Sequence, residues 1–323
     1  MSQLRILVTG GSSFSGLWFG NELARAGHLV TAPVVRNLES YSGTRRKRVE
    51  LLQQFASVEW QCPFGSDRFL ELVEKHSFDV LCCHGAQVLD HRSLDFDIVA
   101  ALADNIRGLP QVLQLMLKRG LTAVVLTGTF SEQDEGAGTG PLSAFQPYSL
   151  SKGLTAQVFR YWTSALGVRL GKFVMPNPFG PLEEERFVAH LVRSWRLDTP
   201  AKVHTPRYVR DNAPIALLAA TYRDYVERLV DGRAAARTNP SGYIETQGDF
   251  AQRVARELGH RLKLATPLEL AEQTDFREPM MRVNTEPMDW KALGLSEAAS
   301  WDQLAGYYSE PESALALHFH PFQ

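Results

Sequence analysis

Thr9-Gly10-Gly11-Ser12-Ser13-Phe14-Ser15-Gly16 is the stretch that decides the fold. It follows the strand-like run Leu4-Arg5-Ile6-Leu7-Val8 and opens directly into Leu17-Trp18-Phe19-Gly20-Asn21-Glu22-Leu23, whose apolar spacing is helical. A glycine-rich turn between a strand and a helix lets backbone N–H groups and the helix N-terminus approach a pyrophosphate with no side chain in the way. That context is what a stray glycine motif lacks. The competing reading is an ordinary tight strand-to-helix turn. Gly10, Ser12, Ser13, Phe14 and Gly16 are the candidate cofactor contacts in this loop.

Outward from the loop, short β-branched runs alternate with longer helical patterns through the first half of the chain. Strands are expected at Ile6–Val8, Leu29–Val34, Val58–Gln61, Val80–Cys83, Ala123–Thr127 and Phe173–Met175. Helical patterns lie between them, among them Leu17–Ala26, Phe69–Lys75 and Ile98–Leu117, the last with a break or kink at Pro110. Such alternation specifies an α/β fold, a Rossmann-type doubly wound parallel sheet with helices on both faces. Beyond residue 176 the alternation weakens around two clear helices, Ile215–Leu229 and Asp249–Leu258. The expected organisation is a dinucleotide-binding domain over 1–176 and a smaller α/β substrate lobe over 177–323, with later segments free to return to the sheet. Glu183-Glu184-Glu185 reads as a solvated first helical turn.

The 323 residues are 44% hydrophobic and 22% charged, enough apolar material for a sizeable core. A net charge of −2 offers no basic field for nucleic acid or an anionic membrane. No apolar run approaches the roughly 20 residues that cross a bilayer, and no signal peptide precedes the first strand. Cys62, Cys82 and Cys83, an odd set flanked by apolar residues, read as buried thiols of a cytoplasmic protein. His318 and His320 have no acidic or cysteine partners at ligand spacing, so no metal site is expected.

Tyr148-Ser149-Leu150-Ser151-Lys152 opens another helical segment, with its Tyr and Lys at i and i+4 on one face. An ammonium beside a phenol favours the phenolate and draws it toward the working range of a general acid–base group. Upstream, Val124-Val125-Leu126-Thr127-Gly128-Thr129-Phe130-Ser131 is a strand ending in hydroxyl residues. Those hydroxyls either serve chemistry or satisfy backbone groups at the strand end.

Taken together, these segments resemble the extended short-chain dehydrogenases/reductases, the NAD(P)-dependent nucleotide-sugar epimerases and dehydratases. The loop is similar to that family's Thr-Gly-x-x-Gly-x-x-Gly, with Ser13 where the middle glycine stands. Two consequences of Ser13 are open: its β-carbon displaces the dinucleotide slightly, or its hydroxyl donates to a phosphate. Asp79-Val80-Leu81-Cys82-Cys83-His84-Gly85-Ala86 resembles the fourth strand that ends beside the cofactor, which adds Gly85 and Ala86 to its contacts. Asp104-Asn105-Ile106-Arg107-Gly108 resembles the Asn-Val-x-Gly helix, whose asparagine supports the site. Pro176-Asn177-Pro178-Phe179-Gly180-Pro181 looks like the Asn-x-Tyr-Gly-Pro turn, which places Asn177 against substrate. Arg210-Asp211-Asn212-Ala213-Pro214-Ile215 resembles the segment whose arginine grips the sugar-nucleotide diphosphate. A surface ion pair is the plainer use of Arg210.

The resemblance implies Tyr148 as proton exchanger and Lys152 as its tuning partner and a cofactor contact. The hydroxyl that polarises the substrate oxygen is Thr129 in the first place and Thr127 in the second. At the end of the second strand, Val34-Val35-Arg36 offers no carboxylate for the ribose of NAD, and Arg36 suits the 2′-phosphate of NADP instead. Arg45-Arg46-Lys47-Arg48 is either part of that site or the solvated face of a helix. Expected, then, is an NADP- or NAD-dependent epimerase or reductase of a nucleoside-diphosphate sugar, acting at C4 and assembled as a homodimer through the helices of Tyr148 and Asn105. A 4,6-dehydratase is disfavoured because Phe130-Ser131 stand where the family's Asp-Glu follows the threonine. A reductase of a non-sugar ketone and a dinucleotide-binding protein without catalysis are the remaining alternatives.

Overall fold

The computed structural model describes residues 2–87 and 93–309. Strands β1 (Arg5–Thr9), β2 (Leu29–Pro33), β3 (Ser57–Glu59), β4 (Val80–Cys83) and β5 (Ala123–Thr129) join Arg169–Met175 and Arg237–Thr238 in one seven-stranded sheet. Every pairing in it is parallel. The order runs Arg237–Thr238, Arg169–Met175, β5, β4, β1, β2, β3. Strand order reverses between β1 and β4, and the crevice beyond their carboxyl ends is where an open α/β sheet takes a ligand.

Strict alternation sends each strand's side chains to two different cores, because successive residues of a strand point to opposite faces. Ile6, Val8, Val80, Cys82 and Val125 meet helices α1 (Phe14–Arg25) and α2 (Gly43–Phe55) on one face. Leu7, Leu81, Cys83, Val124 and Leu126 form the other core with α3 (Asp67–Lys75). The continuous apolar runs of β1, β4 and β5 reflect this burial on both sides. All three cysteines are buried and unpaired.

The expected single helix Ile98–Leu117 is two helices, α4 (Ile98–Asn105) and α5 (Leu109–Lys118). Gly108 takes a left-handed conformation at φ 57°, which ends one helix and starts the next. Pro110 does not kink the chain: it occupies the first turn of α5, where a missing N–H costs nothing.

After α6 (Pro147–Ala165) and strand Arg169–Met175 the chain alternates between the two parts of the molecule. Helix α7 (Phe187–Arg196) belongs to the lobe, whereas α8 (Ile215–Val230) packs Leu218, Tyr222 and Val226 into the first sheet core. Arg237–Thr238 then extends the sheet edge. The sheet is thus completed by residues well past 176. Helices α9 (Gln247–Leu262) and α10 (Glu297–Ser309) return to the lobe, whose core holds Phe179, Trp195, Phe250 and Trp301. Strand Val209–Pro214 ties this lobe together, pairing with Asn177–Phe179 and with Tyr243–Thr246. None of the described helices is long and apolar enough to cross a membrane. His318 and His320 lie outside the described residues.

Candidate functional site

The glycine turn is shaped by backbone contact. Gly10 sits at φ 74°, and a β-carbon there would stand 2.6 Å from the Gly85 nitrogen. At Gly16 it would stand 2.2 Å from the Gly10 carbonyl oxygen. Only backbone fits on either side, so the turn after β1 and the exit of β4 form a single cradle at the switch point, the geometry a pyrophosphate requires. Ser13 caps α1: its Oγ accepts the Gly16 N–H at 3.1 Å. Its oxygen therefore has a structural duty of its own.

Thr9 Oγ1 accepts the N–H groups of His84 (3.1 Å) and Gly85 (3.0 Å), fixing the strand exit beside the loop. The His84 ring bridges Ser15 Oγ through Nε2 (2.9 Å) and Thr127 Oγ1 through Nδ1 (3.1 Å). Burial, then the Lys152 charge, push this imidazole down to about 3, so it stays neutral and holds one donor and one acceptor. Thr127 is buried and committed to this bridge. That leaves Thr129 as the hydroxyl at the strand mouth. Three segments remote in sequence make the Ser15–His84–Thr127 bridge, and no motif announces it.

The basic cluster splits by position along α2. Arg48 is 1% exposed, which excludes a solvated face for it. It donates to the Ser12 carbonyl (3.1 Å), the Leu182 carbonyl (2.9 Å) and Glu184, and so clamps the glycine loop to the lobe. Arg45 donates to Ser12 Oγ at 3.1 Å and lies over the Tyr41 ring. Arg36 is exposed, its backbone N–H donating to Tyr41 Oη at 3.3 Å. Glu183 is also not solvated: it is buried ahead of α7, and burial pushes its carboxyl up to about 8.

Tyr148 and Lys152 lie in the first turns of α6, with the Tyr148 ring edge-on to Phe96. Lys152 is 4% exposed, and its Nζ makes no ion pair or hydrogen bond among the described residues. Burial pushes this ammonium below its ordinary value. Burial, and then the Glu132 carboxylate, push the Tyr148 phenol above its own, against a downward pull from Arg186. The raised phenol runs against the depression expected from Lys152, and desolvation is its largest cause. Hydroxyls tie the catalytic candidates together: Ser149 Oγ donates to Ser131 Oγ at 2.6 Å, and Ser131 Oγ lies 3.1 Å from Thr129 Oγ1. Asn105 Nδ2 donates to Thr155 Oγ1 on α6 (3.1 Å) while its Oδ1 accepts the Gln87 N–H (3.4 Å), so it braces that helix against the exit of β4.

On the lobe side, Asn177 is half-buried and lies beside Asn212 in the strand register. Arg210 is buried and spent within the chain. Its Nη2 pairs with Glu278 at 2.8 Å, and its Nη1 donates to the carbonyls of Val209 and Pro279. Glu278 also accepts from Gln146, immediately before α6, at 3.1 Å. The ion pair is therefore the arrangement adopted, though a buried one adjoining α6. Arg186 was not singled out by the sequence. It is exposed, unpaired among the described residues, and in electrostatic reach of Tyr148, Arg48 and Glu183.

A model of the NAD dependent epimerase/dehydratase family matches residues 6–213. No curated protein matches in a sequence search. Solved structures share the fold at low identity. One is UDP-glucuronic acid 4-epimerase from Bacillus cereus, in complex with UDP-glucuronic acid and NAD: 15% identity, TM-score 0.70, 94% of this chain and 98% of that one. DesIV, a dTDP-glucose 4,6-dehydratase from Streptomyces venezuelae with NAD bound, has 16% identity and TM-score 0.69, covering 96% and 98%. UDP-glucose 4-epimerase from Stenotrophomonas maltophila, with bound NAD, has 17% identity and TM-score 0.69, covering 98% and 100%.

Proposed function

The chain belongs to the NAD dependent epimerase/dehydratase family, and from that premise we propose that it moves a hydride at C4 of a nucleoside-diphosphate hexose, by epimerisation or keto-sugar reduction. The observation that carries this reading is Lys152, buried without an ion pair among the described residues, one turn from Tyr148 and close to the hydroxyl-ended β5. Leaving an ammonium buried and unpaired is costly unless a ligand or a reaction uses it.

In this reading Tyr148 exchanges the proton of the substrate hydroxyl, Thr129 holds the same oxygen, and Lys152 steadies the phenolate and contacts the cofactor. The bound nicotinamide supplies the hydride acceptor or donor. Gly10, Ser12, Ser13, Phe14, Gly16, Gly85 and Ala86 border the dinucleotide, and Asn177 meets the sugar. For Arg210 to grip a diphosphate, it would have to exchange Glu278 for the ligand. Dehydration is disfavoured, because Phe130 and Ser131 follow Thr129 and the next carboxylate, Glu132, is fully buried and held by Lys172.

NADP is the preferred cofactor in this proposal, since Arg36 is exposed at the end of β2 and no acidic residue follows that strand before Glu39. The test is to denature purified protein, identify any released nicotinamide nucleotide by mass, and titrate the emptied protein with NADPH and NADH. Tighter binding of NADPH, lost about tenfold in Arg36→Ala, is expected for one charge-assisted phosphate contact. Stoichiometric NAD carried through purification would overturn the NADP preference and favour a self-contained epimerase. Binding of neither would remove the proposal.

A homodimer through α4 and α6 is proposed on the same footing. Val99, Leu150 and Leu154 are exposed on these two helices. Light scattering should give twice the mass of 36.1 kDa for the wild type, and the monomer mass for Leu154→Glu. A wild-type monomer would dispose of the dimer.

A further inference from the structure

Beneath the mouth of β5 lies a cluster of charges that the proposed chemistry does not use. Glu132 is 0% exposed and Arg282 1%. Lys172, on strand Arg169–Met175, pairs with Glu132 and, at 2.7 Å, with Glu135. Arg237 adds a cation 3.5 Å from Glu135. The Arg282 guanidinium donates to the carbonyls of Phe130 and Glu135, each at 3.0 Å, and to that of Glu132. The turn after Thr129 is therefore held on its charged side by two buried cations. Buried ion pairs are no cheap source of stability, because desolvating both partners offsets most of their attraction. Their use here is better sought in what they hold in place.

The second carboxylate oxygen of Glu132 gives the answer. It accepts the backbone N–H of Thr129 at 2.8 Å. Thr129 Oγ1 in turn meets Ser131 Oγ, and Ser131 Oγ receives the hydroxyl of Ser149, the residue after Tyr148. We propose that Glu132 is a positioning residue of the active site: anchored by Lys172, it fixes the main chain of Thr129 and, through the Ser131–Ser149 tie, the separation of Thr129 from Tyr148. This rests on the catalytic reading of Tyr148 and Thr129. Among the described residues, Glu132 and Arg186 act on Tyr148, and Lys152 is reached in turn by Glu132 and Lys172. The carboxylate therefore also biases proton exchange at the site.

The test exploits the number of donors facing Glu132. A carboxylate satisfies two, the Lys172 ammonium and the Thr129 N–H. Glutamine has one oxygen, so in Glu132→Gln one of these donors always faces an NH2 group. On the nucleotide sugar that the wild type turns over, from UDP-glucose, UDP-N-acetylglucosamine, UDP-glucuronic acid and dTDP-glucose, Glu132→Gln should lose kcat on the order of 100-fold, the scale for misplaced reacting groups. KM and cofactor affinity should stay near wild type. Removing the facing negative charge should also move the Tyr148 limb of the kcat profile to lower pH. Adding Lys172→Met leaves the amide oxygen a single donor, the Thr129 N–H, and should restore much of kcat.

Wild-type kcat and pH profile in Glu132→Gln, or a loss of kcat that follows melting temperature and is not rescued by the second change, would overturn the proposal. Tyr148→Phe separates the two levels. Full turnover in that variant, or a wild type silent on all four sugars, refutes the catalytic reading itself. A dead Tyr148→Phe beside an unaltered Glu132→Gln refutes the positioning role alone.

Discussion

Tyr148→Phe is expected to lower turnover on the order of 1000-fold while cofactor affinity and melting temperature stay at wild-type values. The phenol is asked to move a proton in the reacting state, a contribution that spans about 100- to 10,000-fold when a positioned side chain supplies it. Its ring packs edge-on against Phe96, a contact that phenylalanine reproduces. Removing the hydroxyl also removes an acid that burial and Glu132 hold in its neutral form. Steady-state rates with paired cofactor titrations measure both halves. A rate within twofold of wild type, on a sugar the wild type accepts, would leave Tyr148 without a catalytic role.

Gly16→Ala is expected to weaken nicotinamide-nucleotide binding about 10- to 100-fold. The new methyl would stand 2.2 Å from the Gly10 carbonyl oxygen and 2.8 Å from Ser13 Oγ. Neither is the flexible end of a long side chain, so the loop must shift. Overpacking of this kind costs about 1–3 kcal/mol, which spans that range of affinity when it falls on the binding-competent loop. The Ser13 cap on α1 lies in the same contact and is displaced with it. Calorimetric titration against Gly20→Ala provides the comparison, since Gly20 lies within α1 and a β-carbon there would meet side chains alone, nearest the Phe55 ring edge at 3.3 Å. Equal affinities in the two variants would show that the turn after β1 does not border the cofactor.

Much of this site was legible in the chain because its parts are local. At Gly16 the glycine turn is set by contacts within eight residues, while Gly10 also meets Gly85 across the sheet; the Tyr148–Lys152 face is set by one helical turn, and the strands by runs whose alternating side chains enter two cores. Where neighbouring residues supply the decisive energy, spacing reports it directly. The break lies at Gly108 and not at the expected Pro110, because proline is tolerated in a first helical turn and only the left-handed glycine marks where that turn begins.

What the tertiary structure decided concerns charge. The sequence could not show that Arg48 is buried between the glycine loop and the lobe, that Arg210 is spent on Glu278, or that Glu132 and Lys172 meet beneath Thr129. Each pairing joins residues 36 to 134 positions apart, and the identity of a charged residue is the same whether it is solvated or buried. Its partner and its dielectric surroundings exist only once the sheet has closed, and those two quantities determine whether it binds a ligand, holds a loop or tunes a proton. The sequence by itself determined the fold and the local face that carries Tyr148 and Lys152; long-range burial determined which charges are free to act on them.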